Sequence, residues 1–164
     1  MKKLLFILFF AIPFSSCEKD DICSDETTPK LVIEFFNISD PNSNLNVSNL
    51  KVTGVGQDDE YDTFTAVSKI ELPLKTTEDV TKYSLTLNST NETIKNVDFL
   101  EFNYTRKELF VSRACGFKNV YELNSDNGIV HTDTVPADQK WIKNIFIETN
   151  SITTENETHI KIYF

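Results

Sequence analysis

The side chains of this 164-residue chain that could do chemistry are two histidines, three cysteines and a few clustered carboxylates. Asp58, Asp59, Glu60 and Asp62 stand close enough to offer hard oxygen ligands to Ca²⁺. They lack the Asp-x-Asp-x-Asp-Gly spacing with a late Glu, so they read as a solvated acidic loop. His131, Asp133 and Asp138 fall in residues 124–140, the longest stretch without a strand pattern. Long loops carry function more often than strands do, which makes this the candidate ligand loop. Asn124-Ser125-Asp126-Asn127-Gly128 opens it as a turn, with Gly128 expected to supply a positive φ. A nucleophilic Cys115 beside His131 or His159 is the enzymatic alternative, but no orienting motif accompanies it. Cys23, Cys115, His131 and His159 lack zinc-ligand spacing, so no metal site is expected. No Gly-x-Ser-x-Gly, phosphate loop or dinucleotide fingerprint occurs, and neither a cofactor nor a catalytic residue is assigned.

The N-terminus carries a different kind of chemistry. Lys2 and Lys3 precede an apolar run over residues 4–12, nine residues long. A bilayer-spanning helix needs about 20, so the run is an export signal and not a membrane span. Ser15-Ser16-Cys17 follows, and the whole resembles the lipobox of bacterial lipoproteins, with Phe14 where Leu is commoner. The resemblance implies that residues 1–16 are removed and that Cys17 carries a diacylglyceryl group. Two or three acyl chains anchor stably where one binds marginally. An ordinary secretory signal that happens to hold a cysteine is the alternative. Glu18-Lys19-Asp20-Asp21 resembles the acidic signal that sends Bacteroidetes-type lipoproteins to the outer face of the outer membrane, with Lys19, Asp20 and Asp21 as its export residues. Read only as a charge run, the same tract is a solvated linker, which leaves the periplasmic face open.

With Cys17 given to lipid, Cys23 and Cys115 remain in an oxidising compartment. One disulfide is expected, stabilising by about 2–4 kcal/mol. Removing residues 1–16 takes the formal net charge from −9 to −11. That acidity argues against nucleic acid and anionic lipid as partners bound through phosphates. Thirteen Phe and five Tyr against four Gly describe a packed, aromatic-rich chain. Residues 17–29 form a lipidated acidic tether, and residues 30–164 suffice for one domain with a real core.

The elements that must position these groups are strands. Residues 30–36 alternate with Leu31, Ile33 and Phe35 on one face. Residues 40–44 are a turn cluster, and residues 45–55 a strand whose phase slips between Val47 and Leu50, as a bulge would make it. Residues 57–62 are the acidic loop. Residues 68–74 put Ile70, Leu72 and Leu74 inward, with Pro73 suggesting an edge. Residues 81–88 align Tyr83, Leu85 and Leu87. Residues 97–104 slip at Phe99-Leu100, and Arg106-Lys107 turns into residues 108–115. Residues 117–123 close a hairpin at Gly116, and residues 141–149 and 159–164 end the chain. No helical stripe is present. Eight or nine short strands predict an all-β fold, a single β-sandwich with an immunoglobulin-like order as first choice. A jelly roll or a closed barrel is the alternative. Trp141 follows both remaining cysteines, so the antibody Cys–Trp–Cys core is not available.

The segments Cys17-Glu18-Lys19-Asp20-Asp21-Ile22-Cys23, Thr28-Pro29-Lys30-Leu31-Val32-Ile33-Glu34-Phe35 and Val111-Ser112-Arg113-Ala114-Cys115-Gly116-Phe117-Lys118 are similar to landmarks of a family of uncharacterised Bacteroidetes-type outer-membrane lipoproteins. The resemblance implies a small lipid-anchored envelope protein and brings no catalytic residues. Asp133-Thr134-Val135 resembles the O-glycosylation site of that phylum, with Thr134 as acceptor. The expected role is a non-enzymatic interaction or accessory module, held to the membrane by the lipid on Cys17 and pairing with an outer-membrane protein. A glycan- or small-ligand-binding lipoprotein is the alternative, for which Tyr61, Phe64 and Trp141 are the aromatics near loops. An enzyme is the third class, because fold alone never excludes chemistry.

Overall fold

The computed structural model describes residue 23, residues 27–57 and residues 60–164. The expected signal, Cys17, Lys19, Asp20, Asp21, Asp58 and Asp59 lie outside the described residues. Those described form β1 (Leu31–Asn37), β2 (Asp40–Asn44), β3 (Val47–Gly54), β4 (Glu60–Val67), β5 (Lys69–Leu72), β6 (Val80–Leu87), β7 (Asn96–Ser112), β8 (Gly116–Leu123), β9 (Ile129–Asp133), β10 (Asn144–Ile147), β11 (Ser151–Ile152) and β12 (Ile160–Tyr163). No helix occurs among them.

One sheet runs β10-β12-β1-β2 with β5 also beside β1; the other runs β11-β8-β7-β6-β3-β4 with β9 also beside β7. Alternation decides which side chains meet between them. Leu31, Ile33, Phe35, Ile70, Leu72, Ile160 and Ile162 of the first sheet share one core with Leu50, Val52, Leu85, Leu100, Phe102 and Leu123 of the second. The all-β sandwich is therefore the fold. Its strand order does not establish an immunoglobulin arrangement. The strands β1 and β12 run parallel, with Ile33 opposite Ile160 and Phe36 opposite Tyr163.

Several elements depart from their sequence pattern. Residues 40–44 are the edge strand β2 and not a turn; the reversal is made by Ile38-Ser39, where Asn37 Oδ1 accepts the Ser39 N–H. Pro41 is tolerated because an edge strand leaves one side unpaired. The exposed, polar β4 carries no apolar alternation and exists through its pairing with β3, from Val47–Val67 to Thr53–Glu60. The slip in β3 is real: Asn49 takes φ 45°, and its carbonyl accepts the Ser89 N–H. The slip at Phe99-Leu100 is absent, since Asp98, Leu100, Phe102 and Tyr104 alternate inward and Phe99 lies outward under the Lys82 ammonium. Nor does the chain turn at Arg106-Lys107, because β7 runs unbroken for 17 residues.

Residues 73–79 cross from the first sheet to the second, and three tyrosines of the second sheet hold that crossing. Tyr83 donates its hydroxyl to the Pro73 carbonyl (2.5 Å), Tyr121 to Leu74 (3.2 Å) and Tyr104 to Lys75 (3.1 Å). Thr81 Oγ1 accepts the Lys75 N–H and lies 2.6 Å from the Tyr104 oxygen. A buried phenol without a partner would cost about 1–3 kcal/mol, so each hydroxyl reaches a carbonyl. Burial pushes Tyr121 up to about 12 and raises Tyr83 and Tyr104, which keeps all three protonated as donors.

Candidate functional site

The strands β8 and β9 follow the same edge of β7, interrupted by residues 124–128. Asn103 closes the interruption: its carbonyl accepts from the Asn124 N–H, its own N–H donates to Gly128, and its side chain donates to Asn127. Gly128 is needed there for space and not for a positive φ, because a Cβ on it would meet the Asn124 carbonyl oxygen at 2.5 Å. The expected loop of residues 124–140 therefore contains a strand, β9, whose pattern is too short and polar to show.

His131 sits on β9 with Nε2 2.8 Å from Oδ2 of Asp98. Asp98 is fully buried on β7, where the same Oδ2 accepts the Ile142 N–H (2.9 Å) and Oδ1 accepts the Trp141 N–H (3.3 Å). A carboxylate that accepts two backbone N–H groups leaves the imidazole to donate. Asp98 thus fastens the return of the chain toward β10. Asp133 and Asp138 gather round Thr134 instead. The Thr134 N–H donates to Asp133 Oδ1 (2.7 Å) and the Gln139 N–H to Oδ2 (3.1 Å). Thr134 Oγ1 lies 3.0 Å from the Pro136 carbonyl oxygen and 3.3 Å from Asp138 Oδ1. Burial opposes the charge on Asp133, and these N–H donors outweigh it, holding the carboxyl below its ordinary range.

The structure therefore joins Asp133 to Asp138 but gives His131 to Asp98, a residue the sequence reading missed. Its signal was its phase, since Asp98 occupies the inward position two residues before Leu100. A cleft of about 350 Å³ lies beside His131, lined also by Ser125, Asp126, Lys143 and Asn144. An Asp-held imidazole is the orienting half of a general base. Among the described residues no hydroxyl or thiol is hydrogen-bonded to this ring, and Asp98 is occupied with backbone.

A second cleft, about 450 Å³, lies between the ends of β3 and β6 and is lined by Gln57, Tyr61, Lys75, Lys82 and Tyr83. The Tyr61 ring is 41% exposed, stands edge-on to Tyr83 and donates its hydroxyl to the Glu71 carbonyl. Of the three aromatics named from sequence, it is the one that lines this cleft. Trp141 is core: 5% exposed, it donates its indole N–H to Leu85 and packs between Phe35 and Phe164. Phe64 packs against the same core. In the acidic loop Glu60 bonds Lys51 (2.9 Å), which lowers its carboxyl, and Asp62 accepts the Thr63 N–H. Among the described residues no group of three or more His, Cys, Asp and Glu gathers to hold a metal ion.

Cys23 and Cys115 are joined by a disulfide with Cα atoms 4.8 Å apart, so Cys115 is no free nucleophile. The bridge lies at the β7–β8 turn, where Gly116 takes φ 70°. Further along the chain, Thr28 Oγ1 accepts the Asn119 N–H of β8.

Two sheets closed over one core, with clefts at their ends and a disulfide fixing the entering chain, define a β-sandwich domain. The chain belongs to a family of unknown function, DUF6452, whose pattern matches residues 49–164. No curated protein and no solved structure matches it.

Proposed function

We propose that the protein is a lipid-anchored lipoprotein of the outer membrane, of Bacteroidetes type, and that it serves there as a non-enzymatic interaction or accessory module on the cell surface. The observation that carries this reading is the order Lys2-Lys3, residues 4–12, Ser15-Ser16-Cys17, followed by a disulfide that begins six residues later at Cys23. A cysteine six residues from the lipid and bridged to the domain makes the tether short and its exit point fixed. The tract Glu18-Lys19-Asp20-Asp21, acidic as a whole and with Lys19, Asp20 and Asp21 as its export residues, supports the surface over the periplasmic face. Cys17→Ser is expected to abolish labelling by a palmitate analogue and to release the protein from the membrane fraction. Equal labelling of the mutant would end the reading.

The Tyr61 cleft favours a second reading, in which the module binds a glycan or a small polar ligand. An exposed ring beside Gln57, Lys75 and Lys82 offers a stacking face and hydrogen-bond donors. Calorimetric titration with oligosaccharides, repeated on Tyr61→Ala, tests it; no heat from either protein would exclude it.

A further inference from the structure

We infer that the tip of the β7–β8 hairpin docks onto the lipid bilayer, inserting Phe110 and Phe117 at its surface. This rests on the lipid-anchor reading above and adds the face by which the domain meets the membrane.

Pairing of β6 with β7 ends at Val80–Asn103, whereas β7 and β8 continue together to Ser112–Gly116. The hairpin therefore extends past its neighbour as a two-stranded ribbon. The face of β7 that buries Phe102 and Tyr104 continues in phase to Phe110, but sheet one no longer covers it there. Phe110 and the opposite Phe117 are 61% and 63% exposed, with rings edge to face at 5.3 Å. Two large rings paired outside a core are surface built for contact.

What covers them is indicated by the disulfide and by charge. Cys115 lies in the turn of this ribbon and Cys23 is bonded to it. Cys23 lies six positions after Cys17, which would place a lipidated Cys17 within about 20 Å of Cys23 even when fully extended. The ribbon's own residues 107–118 are basic in an acidic chain, with Lys107, Arg113 and Lys118 against Glu108, while Asp21, Asp25 and Glu26 flank the bonded Cys23 in sequence. Arg106 is already paired with Asp79. Aromatic rings flanked by Lys and Arg fit the boundary between acyl chains and headgroups, since long basic side chains reach headgroups from there. The acidity that argues against anionic lipid belongs to the chain as a whole, and the two strands of this ribbon are a local exception to it.

The test uses the full protein, purified from membranes and reconstituted into phosphatidylethanolamine–phosphatidylglycerol vesicles with brominated acyl chains. Phe117→Trp places a reporter on the exposed tip, and Phe110→Trp repeats it on the other strand. The native Trp141, buried in the core, is the internal control. Emission from the added tryptophan is expected to fall by about half or more, as a ring some 5–10 Å into the interface would, with wild-type emission unchanged. A lipid-bearing protein whose added tryptophan is not quenched would overturn docking while leaving the anchor standing. A blue shift that follows protein concentration without vesicles would overturn it in favour of a second copy of the chain. An intact mass without diacylglyceryl on Cys17 marks failure of the anchor itself, and docking falls with it.

Discussion

Along Asn96 to Asn103, β7 has β6 on one edge and β9 on the other, and its inward side chains Asp98, Leu100 and Phe102 are fully buried. From Thr105 to Ser112 the same strand is paired mainly with β8, and its side chains reach water. The two halves share a backbone geometry and an apolar phase, yet they are held by different means. The first half is stabilised by burial, the second by a covalent bridge to Cys23. Strand character alone does not make a core; a second sheet opposite it does.

Substitution of equal rings sharpens that contrast most. Phe102→Ala should cost about 3–5 kcal/mol, through lost burial plus the cavity left behind. Phe110→Ala should stay within about 0.5 kcal/mol. Urea unfolding of both variants measures the difference, and similar losses would mean that the ribbon is packed after all.

Asp98→Ala comes next, at about 3 kcal/mol, because it strands the Trp141 and Ile142 N–H groups in the interior. His131→Ala removes a less buried partner and should cost less. The reverse order in thermal unfolding would identify the imidazole, and not the backbone clamp, as what the Asp98 side chain serves.

In the ribbon, Cys115→Ser and Cys23→Ser should each cost about 2–4 kcal/mol and the double variant little more, since one bridge is lost in every case. Amide exchange is expected to quicken over residues 105–119 while Asn96 to Asn103 keep their protection. Uniform loosening of the whole strand would break the distinction between its halves.

The gentlest probe is pH. His159 is fully buried, its Nδ1 accepts the Val32 N–H, and burial lowers its pKa, with Lys69 acting alongside and Glu157 and Glu155 against. The unfolded histidine takes a proton near pH 6.5 and the folded one resists it. Stability is therefore full above that pH and lost below it, with a limiting slope of about 1.4 kcal/mol per pH unit. At the alkaline end the sign reverses. The unfolded tyrosines ionise near pH 10 while Tyr121 holds its proton to about 12, so stability is full below pH 10 and falls through that window. Both limbs belong to the body, and Phe110→Ala should leave each unchanged in denaturation titrations.

What could be read from sequence was what alternation controls. Ile70 and Leu72 in β5, Leu74 just beyond its end, and Ile160 and Ile162 in β12 announced their faces, and all five are buried. What could not be read depended on partners far along the chain. The polar strand β4 takes its form from β3, and His131 takes its role from Asp98, 33 residues away. Trp141, near a loop by position, is drawn into the core by Phe35 and Phe164. The cysteines were legible because the lipid expected on Cys17 left Cys23 and Cys115 as a pair, and that bridge is present.

The parallel pairing of β1 with β12 bears on the order of assembly. Ile33 meets Ile160, so the middle of one sheet joins residues 127 positions apart, and β10 reaches that sheet only through β12. Closing so long a loop must precede any gain from the contact, which puts the domain among the slow folders, on the millisecond-to-second scale. A nascent chain that emerges N-terminus first has no partner for one edge of β1 until its last residues arrive. The chain is thus kept from completing this sheet before β12 is free, so that the partly made chain keeps an open strand edge throughout its synthesis.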